Sequence, residues 1–190
     1  MRHLILIGPM GAGKSALAKM LAERKGYTIH PIAGAIKWLA GMAFPGIGKE
    51  TQHLVQQDFQ DDGMAFPVRW LKGREIYQQL GAAGRQMDRL FWLRIWSNAL
   101  ESIGHAPVVV DDARLNLEIS WAQSALANAF VLKVYASQEV REHRIGGPQH
   151  SGDPTEWEWE TAIADAQLDT SGMDLEAAYA RLLELADLHP

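Results

Sequence analysis

Gly8-Pro9-Met10-Gly11-Ala12-Gly13-Lys14-Ser15 is the stretch from which the rest of the chain is read. It follows the apolar run Leu4-Ile5-Leu6-Ile7 and leads into Ala16-Leu17-Ala18-Lys19-Met20-Leu21-Ala22, a set of good helix formers with no breaker. G-x-x-x-x-G-K-S between a strand and a helix predicts a phosphate cradle. Its three glycines let the backbone bend with N–H groups turned inward, and the helix behind adds the positive end of its dipole. Gly8, Met10, Gly11, Ala12, Gly13, Lys14, Ser15 and Ala16 are the residues expected around the phosphates. Lys14 would reach the β- and γ-phosphates, and the Ser15 hydroxyl would hold a magnesium ion.

Working outward, the strand that matters next is Val108-Val109-Val110, which runs into Asp111 and Asp112. An apolar strand ending in aspartate is the usual second magnesium-holding element beside such a loop. Adjacent strand residues point to opposite sides, so only one of the two carboxylates is expected to face the metal. The chain lacks an Asn-Lys-x-Asp, which argues against a GTPase, and it is short for a motor or ring ATPase. ATP with Mg2+ is therefore the expected ligand pair, and a kinase of small molecules the expected class.

Composition sets the outer bounds. The 190 residues fit one domain with room for a core. A formal charge of -5 argues against a general nucleic-acid or membrane-surface binder. Between Arg69 and Arg94, however, stand Arg69, Lys72, Arg74, Arg85, Arg89 and Arg94 against only Glu75 and Asp88, which suggests a small anionic ligand there. With no cysteine, disulfides and Cys-ligated zinc are excluded. The histidines form no H-x-H or H-E-x-x-H pair. The apolar start is too short for a signal-peptide core and no run approaches membrane-spanning length, so the expected location is the cytoplasm, of the host if the protein is viral. The tryptophan and methionine content leaves a homodimer open.

The remaining segments alternate. Tyr27 to His30 is expected as a short strand stopped by Pro31, and Ile32 to Lys72 as a long irregular insertion with short helical pieces, the kind that covers substrate. Gly73 to Gly81 reads as a short helix closed by glycine, followed by a helix from about Gln86 to Ser102. A helix is expected over Leu115 to Phe130, a strand over Val131 to Tyr135, and a helix over about Gln138 to Ile145. After a loop from Gly146 to Pro154 come helical residues over Glu156 to Ile163, a strand near Ala166 to Leu168 and an amphipathic helix over Leu175 to Leu188. Trp157 and Trp159 are read as covering the edge of the core rather than stacking on a base. Strands alternating with helices behind a phosphate loop imply an α/β fold, a parallel five-stranded sheet covered by helices on both faces. Ligands of such sheets bind at the carboxyl ends of the strands.

Arg74-Glu75-Ile76-Tyr77-Gln78-Gln79-Leu80-Gly81, then Gly84-Arg85, then Asp88 and Trp92, resembles the R-x-h-h-Q-x-h-G…G-R…D…W segment of bacteriophage-type deoxynucleoside monophosphate kinases. Asp112-Ala113-Arg114-Leu115-Asn116-Leu117-Glu118 is similar to that family's D-V-R-F-x-N-E, and Ile32 to Lys37 to its F-A-x-P-L-K. Asp169 to Leu175 looks like the N-x-G-x-L-x-x-L turn found there and in dephospho-coenzyme A kinases. The motifs occur in the family's order over nearly the whole chain. Departures are Asn116-Leu117 in place of Pro-Asn, the missing proline after Ala33, and Asp169-Thr170 in place of Asn.

The resemblance implies the P-loop NTPase fold in a single domain, 1–190, with a helical acceptor-binding insertion over about 32–104 and a lid over about 138–160. It implies transfer of the γ-phosphate of ATP, with Mg2+, to a deoxynucleoside monophosphate. Lys37, Arg74, Gln78, Arg85, Asp88, Trp92, Arg114 and Glu118 are the acceptor-side residues implied, with Asp88 and Glu118 either orienting Arg85 and Arg114 or touching the nucleoside. Arg85, Arg114, Arg141 and Arg144 join Lys14 as the cations of the transfer. Thr170 and Gly172 are expected at the adenine. Guanidinium suits the task because it grips phosphate through paired hydrogen bonds. The alternatives are a dephospho-coenzyme A kinase or other small-metabolite kinase of the same fold, and an ATP-binding regulatory protein that transfers nothing.

Overall fold

The computed structural model describes residues 2–56, 68–147 and 158–188. In chain order the elements are β1 (Leu4–Ile7), α1 (Lys14–Lys25), β2 (Thr28–Ile29), α2 (Gly34–Ala43), β3 (Gln52–Gln56) and β4 (Val68–Lys72). There follow α3 (Gly73–Met87), α4 (Phe91–Leu100), β5 (Val108–Val110), α5 (Asn116–Ala125), β6 (Phe130–Tyr135) and α6 (Gln138–Ile145). A 3-10 turn at Glu158–Thr161, β7 (Ala166–Asp169) and α7 (Leu175–Leu185) complete the described chain. It divides into two compact units, 1–32 with 97–190, and 33–96.

In the first unit, β1 and β5 are apolar and buried throughout. A strand with no wettable face must be covered on both sides, which is why such runs end up inside parallel sheets. The sheet has the order β2-β5-β1-β6-β7, every neighbouring pair parallel. On one face Leu4, Leu6, Val109, Leu132, Val134 and Leu168 pack with Leu17, Ala18 and Leu21 of α1 and Ala178, Tyr179 and Leu182 of α7. On the other, α5 lies against β1 and buries Ile119 and Ala122. The fold is the P-loop NTPase fold. Its register pairs Ile7 with Lys133 and Tyr135 with Asp169, so the residues after β1, β5, β6 and β7 emerge along one edge.

His3 fixes the start of β5, where the Val108 N–H donates to its Nδ1 at 3.0 Å. Burial holds the imidazole pKa below its ordinary 6.5, because the cation is the form that loses hydration. The neutral ring that accepts this bond therefore contributes stability above pH 6.5, and the contribution is lost as the pH falls through the lowered folded value. Thermal unfolding of wild type and His3→Asn, whose amide oxygen can still accept the bond, checks this: the wild-type midpoint is expected to fall between pH 7.5 and 5 by more than the variant's.

The second unit departs from the expected layout in two places. The insertion is not merely irregular: it holds the ten-residue helix α2 and an antiparallel hairpin in which Leu54 faces Trp70 and His53 faces Leu71. Leu71 turns inward onto Ala40 and Ile76, with Phe44, Ile47, Val55, Tyr77 and Leu80 around them. The helix expected to stop at Gly81 runs on to Met87, and the next starts at Phe91 rather than near Gln86. The break is at Asp88, whose Oδ1 accepts the Leu90 N–H at 2.8 Å while its carbonyl accepts the Phe91 N–H at 2.9 Å.

Gly81 and Gly84 are in the helix because of what lies against them. The Trp92 indole N–H donates to the Gly81 carbonyl at 3.0 Å, and a methyl group on Gly84 would collide with the edge of the indole at Nε1, Cε2 and Cζ2. Absence of a side chain here serves close packing, not a turn. Gly84→Ala is expected to destabilise the protein by about 1–3 kcal/mol, the usual cost of overpacking a rigid neighbour. Urea unfolding followed by tryptophan fluorescence would read it, and an unchanged midpoint would contradict this packing.

Candidate active site

The cradle is built by backbone sign. Gly8, Gly11 and Gly13 have φ of 134°, 81° and 98°, in the region that L side chains avoid. Gly8 has a second reason to be glycine, since a Cβ there would collide with the Val134 carbonyl of β6. Gly11 has one too: its Cβ would lie 3.0 Å from both the Cβ and the carbonyl oxygen of Arg141. Gly13 takes the N-cap position of α1 without a side-chain cap, and the first turn carries no acid. The loop thus leads onto a helix start whose N–H groups and dipole favour an anion. Lys14 Nζ rests on the Gly8 and Pro9 carbonyls at 2.7 and 2.8 Å. Ser15 is exposed in the first turn, Ala12 is buried, and Met10 and Ala16 are half-buried.

Arg141 and Arg144 lie against the same loop. Arg141 donates from Nε to the Ala136 carbonyl at 3.1 Å and from a terminal nitrogen to the Met10 carbonyl at 3.5 Å. Arg144 donates to the Gly11 carbonyl at 3.3 Å, to Thr170 Oγ1 at 3.0 Å and to the Thr170 carbonyl at 2.8 Å. Thr170 is buried, its hydroxyl donating to the Ala12 carbonyl at 3.0 Å and its N–H to the Tyr135 carbonyl at 2.8 Å. Its backbone groups are thereby engaged within the protein, while Gly172 is exposed. Next to it, Asp169 Oδ1 accepts both the hydroxyl (2.6 Å) and the N–H (2.9 Å) of Ser171, which hold its pKa below the usual carboxylate range.

After β5 the two carboxylates part company. Asp112 Oδ1 accepts the Ile32 N–H at 2.7 Å, tying the end of β5 to the chain beyond β2. Asp111 is half-buried and has no hydrogen bond or ion pair among the described residues. Glu118 Oε2 accepts the N–H groups of Arg114 and Leu115 at 2.8 and 3.1 Å, capping α5 and fixing the backbone from which Arg114 projects. Among the described residues no three His, Asp or Glu cluster as a ready-made metal site. Magnesium needs none, since it is held by one or two carboxylates plus phosphate oxygens and water.

In the second unit, Arg74, Gln78 and Arg85 are exposed on α3 at spacings of four and seven, one stripe with Gly81 between them. A Cβ on Gly81 would lie 3.3 Å from an Arg85 guanidinium nitrogen, so that side chain is folded back over the glycine along the stripe. Arg74 approaches Glu50 at 3.9 Å, and Lys37 is exposed on α2. Asp88 pairs with Arg94 at 3.0 Å rather than with Arg85. Trp92 is buried with its single donor used on Gly81, so it packs α3 against α4. Trp159 is buried beneath the Lys133 ammonium, a core-edge position, whereas Trp157 lies outside the described residues.

No family model matches the chain, and no curated protein matches it. Solved structures do resemble it over nearly all of both chains. The tunicamycin resistance protein of Deinococcus radiodurans superposes with a TM-score of 0.55 at 17% identity, covering 97% of this chain and 95% of its own. Shikimate kinase from Acinetobacter baumannii, in complex with shikimate, gives 0.52 at 15% identity and covers 97% and 92%. A sugar kinase from Janibacter gives 0.50 at 16% identity and covers 100% and 96%. At these identities the likeness is one of fold, and the chain shares with them a P-loop NTPase fold from end to end.

Proposed function

We propose that this protein is an ATP- and Mg2+-dependent kinase that phosphorylates a deoxynucleoside 5′-monophosphate to the diphosphate. The observation that carries the acceptor side is the exposed Arg74–Gln78–Arg85 stripe on α3, in a chain whose other unit carries a glycine-built phosphate loop. A phosphate monoester bears about two negative charges at neutral pH, so its oxygen is already a nucleophile. It forms a bond to the γ-phosphorus as the bond to the β,γ-bridging oxygen breaks, and no general base is needed. The protein's task is to align and neutralise two polyanions.

Lys14 leaves the loop carbonyls for the β- and γ-oxygens, and the helix start holds the remaining phosphate charge. Ser15 and Asp111 would hold Mg2+, which when bound neutralises the triphosphate; Asp112 is occupied with the Ile32 amide. Arg85 and Arg74 grip the acceptor phosphate, Gln78 contacts the bound nucleotide, and Arg114 adds a cation from the start of α5. Lys37 is a further cation for the acceptor. The experiment is transfer from γ-labelled ATP in the presence of deoxynucleoside monophosphates: label in a deoxynucleoside diphosphate is expected, and label released only as inorganic phosphate would contradict the reading.

A further inference from the structure

Each carbonyl from Gly8 to Ala12 accepts a side-chain hydrogen bond: Gly8 and Pro9 from Lys14, Met10 from Arg141, Gly11 from Arg144, and Ala12 from Thr170. Lys14 must leave to meet a triphosphate; the other three donors lie outside the loop and need not. A peptide unit is planar, so fixing a C=O fixes the N–H of the following residue in the opposite sense. We infer that Arg141, Arg144 and Thr170 are positioning residues that hold the carbonyls of Met10, Gly11 and Ala12 outward, and so keep the Gly11 and Gly13 N–H groups aimed at the phosphates before they arrive and the Ala12 N–H in the loop's own turn onto the Pro9 carbonyl at 3.4 Å. This rests on the loop being the triphosphate site.

The parts fit that role better than a charge role alone. Thr170 is 2% exposed and neutral, so it acts through Ala12, and its own backbone is pinned to β6 through the Tyr135 carbonyl. Arg144 spans three acceptors with one rigid fork, as a guanidinium can and an ammonium cannot. The Arg144 bond occupies a lone pair of the Thr170 hydroxyl, so its single proton is shared between the Ala12 carbonyl at 3.0 Å and the Tyr135 carbonyl at 3.2 Å, the nearer being Ala12. α6 itself packs against Gly11, where a Cβ would crowd Arg141 at 3.0 Å and the backbone has a φ of 81°. Such preorganisation removes ordering that a ligand would otherwise have to impose.

The test is the dissociation constant of a non-hydrolysable ATP analogue, measured by calorimetry without acceptor. Thr170→Val keeps shape and charge and loses only the hydroxyl; Arg144→Lys keeps the charge and loses the fork. Each is expected to weaken binding by about tenfold, the worth of one or two hydrogen bonds, with the KM for the acceptor unchanged. Thr170→Ser should restore wild-type affinity, and the Thr170→Val/Arg144→Lys double variant should lose less than the product of the single losses because the two share a network. Affinities of both single variants within twofold of wild type would overturn the inference. If Thr170→Val does not fold, Arg144→Lys decides alone: a loss supports the strut, and retained affinity overturns it. Wild-type protein that binds no ATP analogue would overturn the reading of the loop and the strut with it.

Discussion

Arg85→Ala is expected to leave ATP affinity within about twofold of wild type while cutting acceptor turnover by about 100-fold, the usual effect of removing one charged donor from a phosphoryl-transfer site. Arg85 is exposed and its side chain has no hydrogen bond or ion pair among the described residues, so truncating it costs the fold little. Its neighbour in space is Gly81, whose missing side chain lets the guanidinium lie back along α3 toward Gln78 and Arg74. Arg85→Lys should recover little, because an ammonium cannot make the paired hydrogen bonds that a phosphate edge offers. Equal loss of ATP affinity and acceptor turnover would contradict the placement of Arg85 on the acceptor side. Lys14→Ala cannot separate the two sides, since it impairs any use of the loop.

The second large effect divides the adjacent aspartates. Asp111→Asn is expected to lower Mg2+-supported turnover by about 100-fold or more through loss of a metal-facing charge, with the thermal midpoint unchanged because the carboxylate holds no partner among the described residues. Asp112→Ala is expected to act first on stability, leaving the Ile32 N–H without its acceptor. That costs about 1–2 kcal/mol, a fall of roughly 2–8 °C in the midpoint for a chain of this size. Scanning calorimetry beside steady-state rates at several Mg2+ concentrations would separate the effects. A reversal, with Asp112 governing the Mg2+ response and Asp111 the midpoint, would contradict the assignment.

What could be read beforehand follows from where the physics is local. The phosphate loop and the β1 and β5 runs are legible because glycine spacing and unbroken apolar runs act over a few residues, and β6 because Lys133 alone interrupts its apolar residues. The α3–α4 boundary is not, because the Gly81 carbonyl and the bare Cα of Gly84 answer to the Trp92 indole, eleven and eight residues further on, contacts that sequence spacing does not display. The hairpin was hidden for a related reason. Its inward residues His53, Val55 and Leu71 form a short alternation, while Leu54 and Trp70 on the outer face are exposed and spoil the apolar–polar pattern.

At the site, residue identities were readable and their partners were not. Asp111 and Asp112 are equivalent as letters, and the bond from the Ile32 amide to Asp112 tells them apart. Asp88 and Glu118 were open between orienting an arginine and touching a nucleoside. Asp88 instead holds the turn ahead of α4 by accepting the Leu90 N–H and pairs with Arg94, and Glu118 holds the backbone N–H groups of Arg114 and Leu115. Thr170 was expected at the adenine through its backbone; the hydroxyl bond to Ala12 joins residues 158 positions apart. The one sequence signal for it is Asp169-Thr170 standing where the resembling families carry asparagine.

The central claim is phosphoryl transfer to a deoxynucleoside monophosphate. Its most direct test is ADP release from ATP and Mg2+ across a panel of ribo- and deoxynucleoside monophosphates, with dephospho-coenzyme A included and an acceptor-free control. Release that depends on one or a few deoxynucleoside monophosphates is the result expected. Release with dephospho-coenzyme A alone, or silence across the panel from a protein that binds ATP, would contradict it.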